Sequence, residues 1–190
     1  RYFSSFAKKA QFPFGHGLCY SRFKISKPKI SQTEKEISID FFVENVSVVS
    51  GETVVFAFTG LDDKNVFGVK KRLAGFTKVR LAAGESAPAH ISVDPRDLEI
   101  FDREKSEFVT KIGKYAVFIG FSAEDAECKA ELKIKSGVKE CGEISPKEIP
   151  SYYAEQKFAP SGTETERVMN MPLIAKKPDY NDYIVSADVS

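Results

Sequence analysis

Short runs in which apolar and polar residues alternate constrain the fold of this chain more than any other feature. The clearest run covers residues 36–45, where every second position from 37 to 43 is apolar. These positions are Ile37, Ile39, Phe41 and Val43. Because successive side chains of a β-strand point to opposite sides, this spacing predicts a strand with one buried face.

Comparable runs recur along the first 135 residues, at 20–25, 53–59, 72–81, 87–93, 115–121 and 129–135. Turn-forming residues separate these runs about every 8–15 residues, and a helical period is almost absent. About seven short strands of this kind favour an all-β fold of two antiparallel sheets packed face to face. A closed barrel is the alternative.

Individual residues within these runs predict local details of the strands. Pro28 should end the first strand or confine it to a sheet edge, and Gly75 should mark a bulge or a close backbone approach. Asp94 precedes Pro95 and should cap a short helical turn. Two sets are expected to share a strand face: Val54, Phe56 and Phe58 in one strand, and the inward-facing Leu73, Val79 and Leu81 in the next.

The charge balance argues against several classes of function. The 190 residues include 28 basic and 27 acidic side chains, for a net charge of +1. A nucleic-acid partner or a polybasic membrane patch would require a clear basic excess. No apolar run approaches the length of a membrane span, so we expect neither nucleic acid nor membrane as a partner.

The three cysteines, Cys19, Cys128 and Cys141, contain no Cys-x-x-Cys pair. They indicate thiols in a reducing compartment rather than a zinc site, a redox motif or a disulfide framework. This favours a cytoplasmic location and leaves secretion open. Cys19 is expected to be a small buried side chain where the first strand begins.

No arrangement of residues in the sequence predicts a catalytic, metal or cofactor site. The two histidines, His16 and His90, are distant in the sequence and lack nearby metal-ligand partners. His90 falls on the polar face of its strand and is expected to be solvated. The acidic residues fall in turns and loop tips, where capping and solubility explain them. We therefore expect no catalytic residue, no metal and no cofactor in this chain.

One stretch that does not alternate is Phe12-Pro13-Phe14-Gly15-His16-Gly17-Leu18-Cys19-Tyr20, which we call the opening segment. Pro13 restricts its own backbone and that of Phe12, whereas Gly15 and Gly17 permit left-handed torsions. We interpret the segment as an ordered turn, held by buried aromatic rings, that leads into the first strand. It resembles the F-P-F-G-[YH]-G-L-S-Y segment of glycoside hydrolase family 3.

Five further stretches resemble segments of that family in the same order: residues 51–55 (G-[DE]-x-V-V), 72–76 (E-L-K-G-F), 81–85 (L-x-P-G-E), 97–102 (D-L-[SA]-x-[YF]-D) and 113–120 (G-x-[YF]-x-V-x-[VI]-G). The resemblance covers residues 1–135. Departures fall in turns and at strand edges: Cys19 replaces Ser, Ala83 replaces Pro, and Asn45-Val46-Ser47 stands where the family has N-T-G.

The resemblance implies an immunoglobulin-like or fibronectin type III-like sandwich that is a non-catalytic module of a retaining β-glycosidase. In such enzymes two carboxylates in a TIM-barrel and an α/β domain release glucose, xylose or related sugars. The implied partners are the catalytic domains of the same polypeptide and, through them, a β-linked oligosaccharide. The implied role is to brace those domains, with a contribution to the outer sugar subsites as an open second role.

The sequence pattern, together with the resemblance, predicts a division of the chain. Residues 1–19 would lead in from a preceding domain, and 20–135 would form the sandwich. Residues 136–190, rich in proline and aromatic residues, would be an irregular extension, either a linker toward a following barrel or a tail that wraps a surface. Within it, residues 161–166 are expected to be loop-like.

Candidate functional residues follow from these positions. His16, between two glycines, and Asp62 and Asp63, in a loop tip, are candidates for the rim of the sugar site. For His16, a hydrogen bond within its turn or docking on an adjacent domain is preferred over the rim role. Phe12, Tyr20 and Phe42 are candidates for contact with another domain, whereas core packing is preferred for Phe14.

Two other functions remain open. A carbohydrate-binding sandwich would present a planar row of exposed aromatic rings, usually with tryptophan, and this chain has no Trp. A free-standing protein-interaction sandwich is the third possibility. The beginning at Arg1 and the long extension favour a part of a longer protein instead.

Overall fold

A computed structural model describes residues 9–33, 36–61, 71–142, 144, 147–153 and 160–173. The chain divides into two compact units, Arg1–Glu143 and Ile144–Ser190. Among the described residues no helix is long and apolar enough to cross a membrane.

The described part of the first unit is built from strands. They are β1 (Phe23–Gln32), β2 (Ile37–Asn45), β3 (Gly51–Leu61), β4 (Arg72–Leu81), β5 (Ser86–Val93), β6 (Ile100–Asp102), β7 (Glu107–Val109), β8 (Gly113–Gly120) and β9 (Glu127–Ile134). One sheet has the order β1-β2-β5, a second has the order β4-β3-β8-β9, and β6 and β7 form a separate hairpin. Every strand pair is antiparallel. The predicted all-β sandwich of two antiparallel sheets is confirmed.

Apolar side chains from both sheets form the core of the sandwich. Ile37, Ile39, Phe41 and Val43 on β2 are all buried, as the alternation predicted. They pack in one cluster with Val55 and Ala57 of β3, Ile91 and Val93 of β5, and Tyr115, Val117 and Ile119 of β8. Burying each large apolar side chain contributes about 1.5–3 kcal/mol, so this cluster is the main source of the sandwich's stability.

The inward faces of β3 and β4 differ in part from simple alternation. Val55, Ala57 and Thr59 are buried on β3, and the side that carries Phe56 and Phe58 faces away from the other sheet. Leu73 was predicted to point inward, but it is exposed. The register shifts between Ala57 and Phe58, so Leu73 pairs with Phe58 and shares its outward side.

Gly75 lies at this bulge and pairs with Ala57. At Gly75, β4 also comes close to β5. A Cβ atom at Gly75 would lie 2.6 Å from Ile91 Cγ2 and 3.2 Å from the Ser92 carbonyl oxygen. Both predictions for Gly75 are therefore confirmed. Pro28 also behaves as predicted, because β1 is an edge strand whose register shifts between Ser26 and Lys29.

A buried amide joins two turns at one end of the sandwich. Asn45 is 0% exposed, and its Nδ2 donates to the carbonyl oxygens of Val49, at 2.8 Å, and Leu81, at 3.3 Å. Its Oδ1 accepts from the backbone N–H of Ser47 at 3.0 Å. Asn45 therefore fixes the β2–β3 loop relative to the end of β4.

The segment after β5 contains one predicted and one unpredicted feature. A 3₁₀ turn spans Pro95–Leu98, and Asp94 caps it by accepting from the backbone N–H of Arg96, as predicted. The β6–β7 hairpin beyond it was not predicted. Its turn is held by buried Asp102, which accepts from the backbone N–H groups of Glu104, Lys105 and Gly142. Burial raises the pKa of Asp102, but the hydrogen bonds that its carboxylate accepts outweigh this effect. The pKa therefore lies below its ordinary value.

The described part of the second unit contains helices α1 (Pro150–Tyr153) and α2 (Gly162–Met169). The prediction of a loop at residues 161–166 is wrong, because Ser161 and Glu164 form a capping box that begins α2. One carboxylate serves both helices: Glu164 accepts from the backbone N–H groups of Ser161 and Ser151, each at 2.8 Å. Hydrogen bonds from Ser161 and Ser151 lower the pKa of Glu164.

Candidate interdomain surface

The opening segment lies on the outer face of the β4-β3-β8-β9 sheet. The Phe14 ring packs edge-on against Phe56, with centroids 5.2 Å apart, and against Phe58 at 6.4 Å. The Phe14 carbonyl accepts from the backbone N–H of Ala123 at 2.8 Å. Phe14 therefore anchors the segment, but the prediction of buried rings and of core packing for Phe14 is wrong, because its ring lies on the outer sheet face and is 56% exposed.

Gly15 permits this docking for two reasons. Its φ of +83° is a left-handed torsion that side chains disfavour. A Cβ atom there would also lie 2.6 Å from Phe56 Cε2 and 3.0 Å from the Phe121 carbonyl oxygen. Gly17, by contrast, has no atom within 4 Å of the same position. Only the first glycine is required by the packing.

Beyond this anchor the opening segment presents its side chains outward. His16 closes the turn by donating its backbone N–H to the Pro13 carbonyl at 2.9 Å. Its imidazole ring lies 5.3 Å from the Phe12 ring, and Phe12 is 71% exposed. Leu18, at 98%, and Tyr20 are fully exposed. The structure therefore brings Phe12 and His16 together on one exposed surface.

The remaining site candidates lie elsewhere. Phe42 is 40% exposed on β2, in the other sheet, with Lys27 Nζ 5.4 Å from its ring centroid. Phe42 and the opening segment therefore do not share a surface of one sheet. Asp62 and Asp63 lie outside the described residues.

A groove of about 510 Å³ separates the opening segment from β3. Its lining includes Cys19, Glu52, Phe56, Lys78 and Phe121. Lys78 Nζ lies 2.6 Å from Glu52 Oε2, and this hydrogen bond lowers the pKa of Glu52. Cys19 was predicted to be buried, but it is exposed at the groove, where its Sγ lies 3.9 Å from the Glu52 carbonyl oxygen.

A second polar cluster, on the outer face of the β1-β2-β5 sheet, resembles a catalytic triad only in composition. His90 Nδ1 lies 2.9 Å from Asp40 Oδ1 and 3.5 Å from Ser38 Oγ. A relay requires the acid and the hydroxyl on opposite ring nitrogens, whereas here both contact Nδ1. The hydrogen bond from His90 lowers the pKa of Asp40. The cluster fits cross-strand pairing: His90 is exposed on the polar face as expected, and it also contacts Asp40 of the neighbouring strand.

Sequence analysis missed an exposed apolar loop between β2 and β3. Val48 is 93% exposed, and its neighbours Val46 and Val49 are also exposed. The signal was present in the sequence, since Val46-Ser47-Val48-Val49 places three apolar residues where turn chemistry predicts polar ones. Among the described residues, no group of three His, Cys, Asp or Glu side chains is placed to hold a metal ion.

Two sheets in these strand orders and the matching sequence define the class of domain. Residues 53–123 match the family model of the fibronectin type III-like domain. The sandwich is therefore a fibronectin type III-like domain, and the family resemblance seen in the sequence is confirmed at this level.

The similar proteins are glycosidases. The chain is 32% identical to β-glucosidase BoGH3A of Bacteroides ovatus over 124 residues, 62% of this chain and 17% of that protein. It is 33% identical to xylan 1,4-β-xylosidase of Xylanibacter ruminicola over 132 residues, 68% of this chain and 15% of that protein. The solved structure of DesR, a β-glucosidase from Streptomyces venezuelae in complex with D-glucose, matches with a TM-score of 0.65 and 34% identity, over 70% of this chain and 17% of that one. The chain thus spans less than a fifth of the length of these relatives.

Proposed function

We propose that this chain is a non-catalytic structural module of a family 3 glycoside hydrolase acting on β-linked glucosides or xylosides. It braces catalytic domains that belong to the same polypeptide. The similarity to a β-glucosidase and a β-xylosidase supports the class of enzyme. The small share of each relative that the chain covers supports a module rather than the whole catalyst.

The observation that carries this proposal is the opening segment. Phe14 and Gly15 fix it to the sheet, so its backbone is ordered, yet Phe12, Leu18 and Tyr20 are exposed. Exposed apolar side chains on an ordered backbone are typical of a surface that another protein domain covers. Phe12, Tyr20 and Phe42 are accordingly proposed as interdomain contacts. Residues 1–19, 20–135 and 136–190 are the proposed leading segment, sandwich and extension.

The acidic residues support a non-catalytic role. A retaining glycosidase needs a nucleophilic carboxylate and a general acid whose pKa is raised. Five described carboxyl groups have a shifted pKa, and in each the pKa is lowered: Asp40, Glu52, Asp94, Asp102 and Glu164. The hydrogen bonds that these groups accept favour the ionised form. They therefore fit capping and ion pairing rather than proton donation to a leaving group.

Proposed rim residues of the sugar site are His16, Asp62 and Asp63. His16 would reach a sugar held by the neighbouring domain because its imidazole is exposed beside Phe12. A β-linked oligosaccharide would then be a partner only of the assembled enzyme.

Nitrophenyl glycosides test the proposal directly. The purified 190-residue chain should release no nitrophenol from β-D-glucoside or β-D-xyloside substrates above the buffer rate. The complete polypeptide that contains it should hydrolyse at least one of them. The proposal would be overturned if the 190-residue chain hydrolysed a substrate and this activity copurified with the chain through a second column.

An alternative function, direct carbohydrate binding, is favoured by one observation. Phe101 and Phe108 on the β6–β7 hairpin are exposed and stack edge-on, with ring centroids 5.4 Å apart. Exposed aromatic rings can stack on sugars. Retention of the chain on insoluble cellulose or xylan, lost in Phe108→Ala, would support this function over the structural one.

A further inference from the structure

One end of the sandwich carries an apolar surface, which we call the end patch. It consists of Leu18, Tyr20, Val46, Val48 and Val49. All five side chains are exposed, and Leu18, Tyr20 and Val48 are exposed to more than nine-tenths. The two short segments that carry them are joined next to the patch, through Ser21 and Arg22.

Backbone and side-chain hydrogen bonds join the residues that follow Tyr20 to the loop that carries the valines. The Arg22 carbonyl accepts from the backbone N–H of Val46 at 2.9 Å, and the backbone N–H of Arg22 donates to Ser47 Oγ. Buried Ser21 donates through Oγ to the carbonyls of Val49, at 3.3 Å, and Ser50, at 3.1 Å.

The loop is therefore held in place from beneath by buried polar groups. Asn45 Nδ2 donates to the Val49 carbonyl at 2.8 Å, in addition to the bonds from Ser21. An apolar loop that is exposed but fixed loses little conformational freedom when another surface covers it. The end patch is thus preorganised for binding.

We propose that the end patch docks against an apolar surface of a catalytic domain in the same polypeptide. This inference rests on the proposed function and extends it to a specific contact surface. Tyr20, a member of the patch, is already among the proposed interdomain contacts. The relatives are about six times as long as the stretch they share with this chain, which leaves ample polypeptide outside it.

Covalent connection favours this occupant over a second copy of the chain. A domain joined by a short linker reaches an effective concentration of the order of millimolar at the patch. A separate molecule would have to match that concentration in solution. Self-association is therefore the competing outcome that the experiment must detect.

Hydrogen exchange of the backbone amides tests the proposal. The amides of residues 46–49 should exchange about tenfold or more slowly in the complete polypeptide than in the isolated 190-residue chain. Val48→Asp should abolish this difference. In the isolated chain the same substitution should leave the melting temperature unchanged within about 2 °C, because Val48 is almost fully exposed.

Phe108→Asp is the matched control. Phe108 is an exposed apolar residue on the β6–β7 hairpin, beyond the Val93 end of β5, whereas the patch lies at its Ser86 end. This variant should keep the slow exchange of residues 46–49.

The outcomes separate this inference from the proposed function. Equal exchange in the two proteins, or slow exchange that survives Val48→Asp, overturns the inference even if the complete polypeptide hydrolyses glycosides. If these amides exchange more slowly in the isolated chain as the concentration of that chain is raised, the inference is also overturned, and self-association is supported instead. Slow exchange lost in Val48→Asp supports docking, even in a polypeptide that hydrolyses no glycoside and so refutes the proposed function.

Discussion

Replacing Asn45 by alanine tests whether one buried amide holds two turns of the sandwich together. The substitution removes three hydrogen bonds, to the carbonyls of Val49 and Leu81 and from the N–H of Ser47. A typical intramolecular hydrogen bond contributes about 1 kcal/mol, and a buried carbonyl left without a donor costs about 1–3 kcal/mol. The bond to Leu81 is buried, whereas the other two bonds are only partly buried. We therefore expect Asn45→Ala to lower the free energy of unfolding by about 3 kcal/mol.

Thermal and urea unfolding measure this loss. For a chain of this length, about 3 kcal/mol corresponds to a melting temperature lower by roughly 6–12 °C. The urea midpoint should fall while the m-value stays constant, because the folded structure buries the same surface. Ser38→Ala, on the exposed face of the same strand, is the control and should change stability by less than about 0.5 kcal/mol. A loss below about 1 kcal/mol in Asn45→Ala would refute the assigned role.

Asn45→Asp sharpens the test because it changes only the donor. The new carboxylate would face the carbonyls of Val49 and Leu81, so burial and repulsion would raise its pKa in the folded state. A raised folded pKa means that stability is lost as the pH rises above the unfolded value of about 3.9. At pH 7 this variant should be at least as unstable as Asn45→Ala, and it should recover part of the loss below about pH 4.

Three further predictions follow from individual contacts. Gly15→Ala should lower the free energy of unfolding by about 1–2 kcal/mol and expose residues 12–20 to proteases. Gly17→Ala, the matched control, should do neither. Asp102→Asn should lower the melting temperature at pH 7, and because the folded pKa of Asp102 is lowered, the difference from wild type should shrink as the pH falls below about 4; a constant difference would contradict the assignment. Ser161→Ala should destabilise α2 by about 1 kcal/mol, seen as faster exchange of its amides, and unchanged exchange would exclude the capping box.

Sequence analysis predicted those strands whose alternation matches the final register. On β2 every second side chain is buried without interruption, so period and structure agree. On β4 the bulge at Gly75 shifts the phase, and Leu73, an inward position by counting, ends on the outer side. The glycine indicated a bulge, but only pairing with β3 determines which residue of β4 is left without a partner.

The surface around the opening segment could be predicted only in part. Phe12 and Tyr20 are exposed as interdomain candidates should be, yet Phe42 lies in the other sheet, because proximity in the fold depends on strand order. The three valines of the β2–β3 loop were missed because alternation identifies strands and says little about apolar loops. Helix α2 was missed because its capping box was interpreted as loop composition.

The docking of Phe14 also determines where this domain can be cut for expression. Phe58 is only 2% exposed although its ring faces away from the other sheet, and Phe14 is one of the rings that cover it. A truncated protein that starts at Tyr20, where the alternation begins, would lack Phe14. Its aromatic rings on the outer sheet face would then be exposed to solvent and prone to association. Any recombinant version should therefore retain Phe14, even though the strand pattern alone would place the boundary after it.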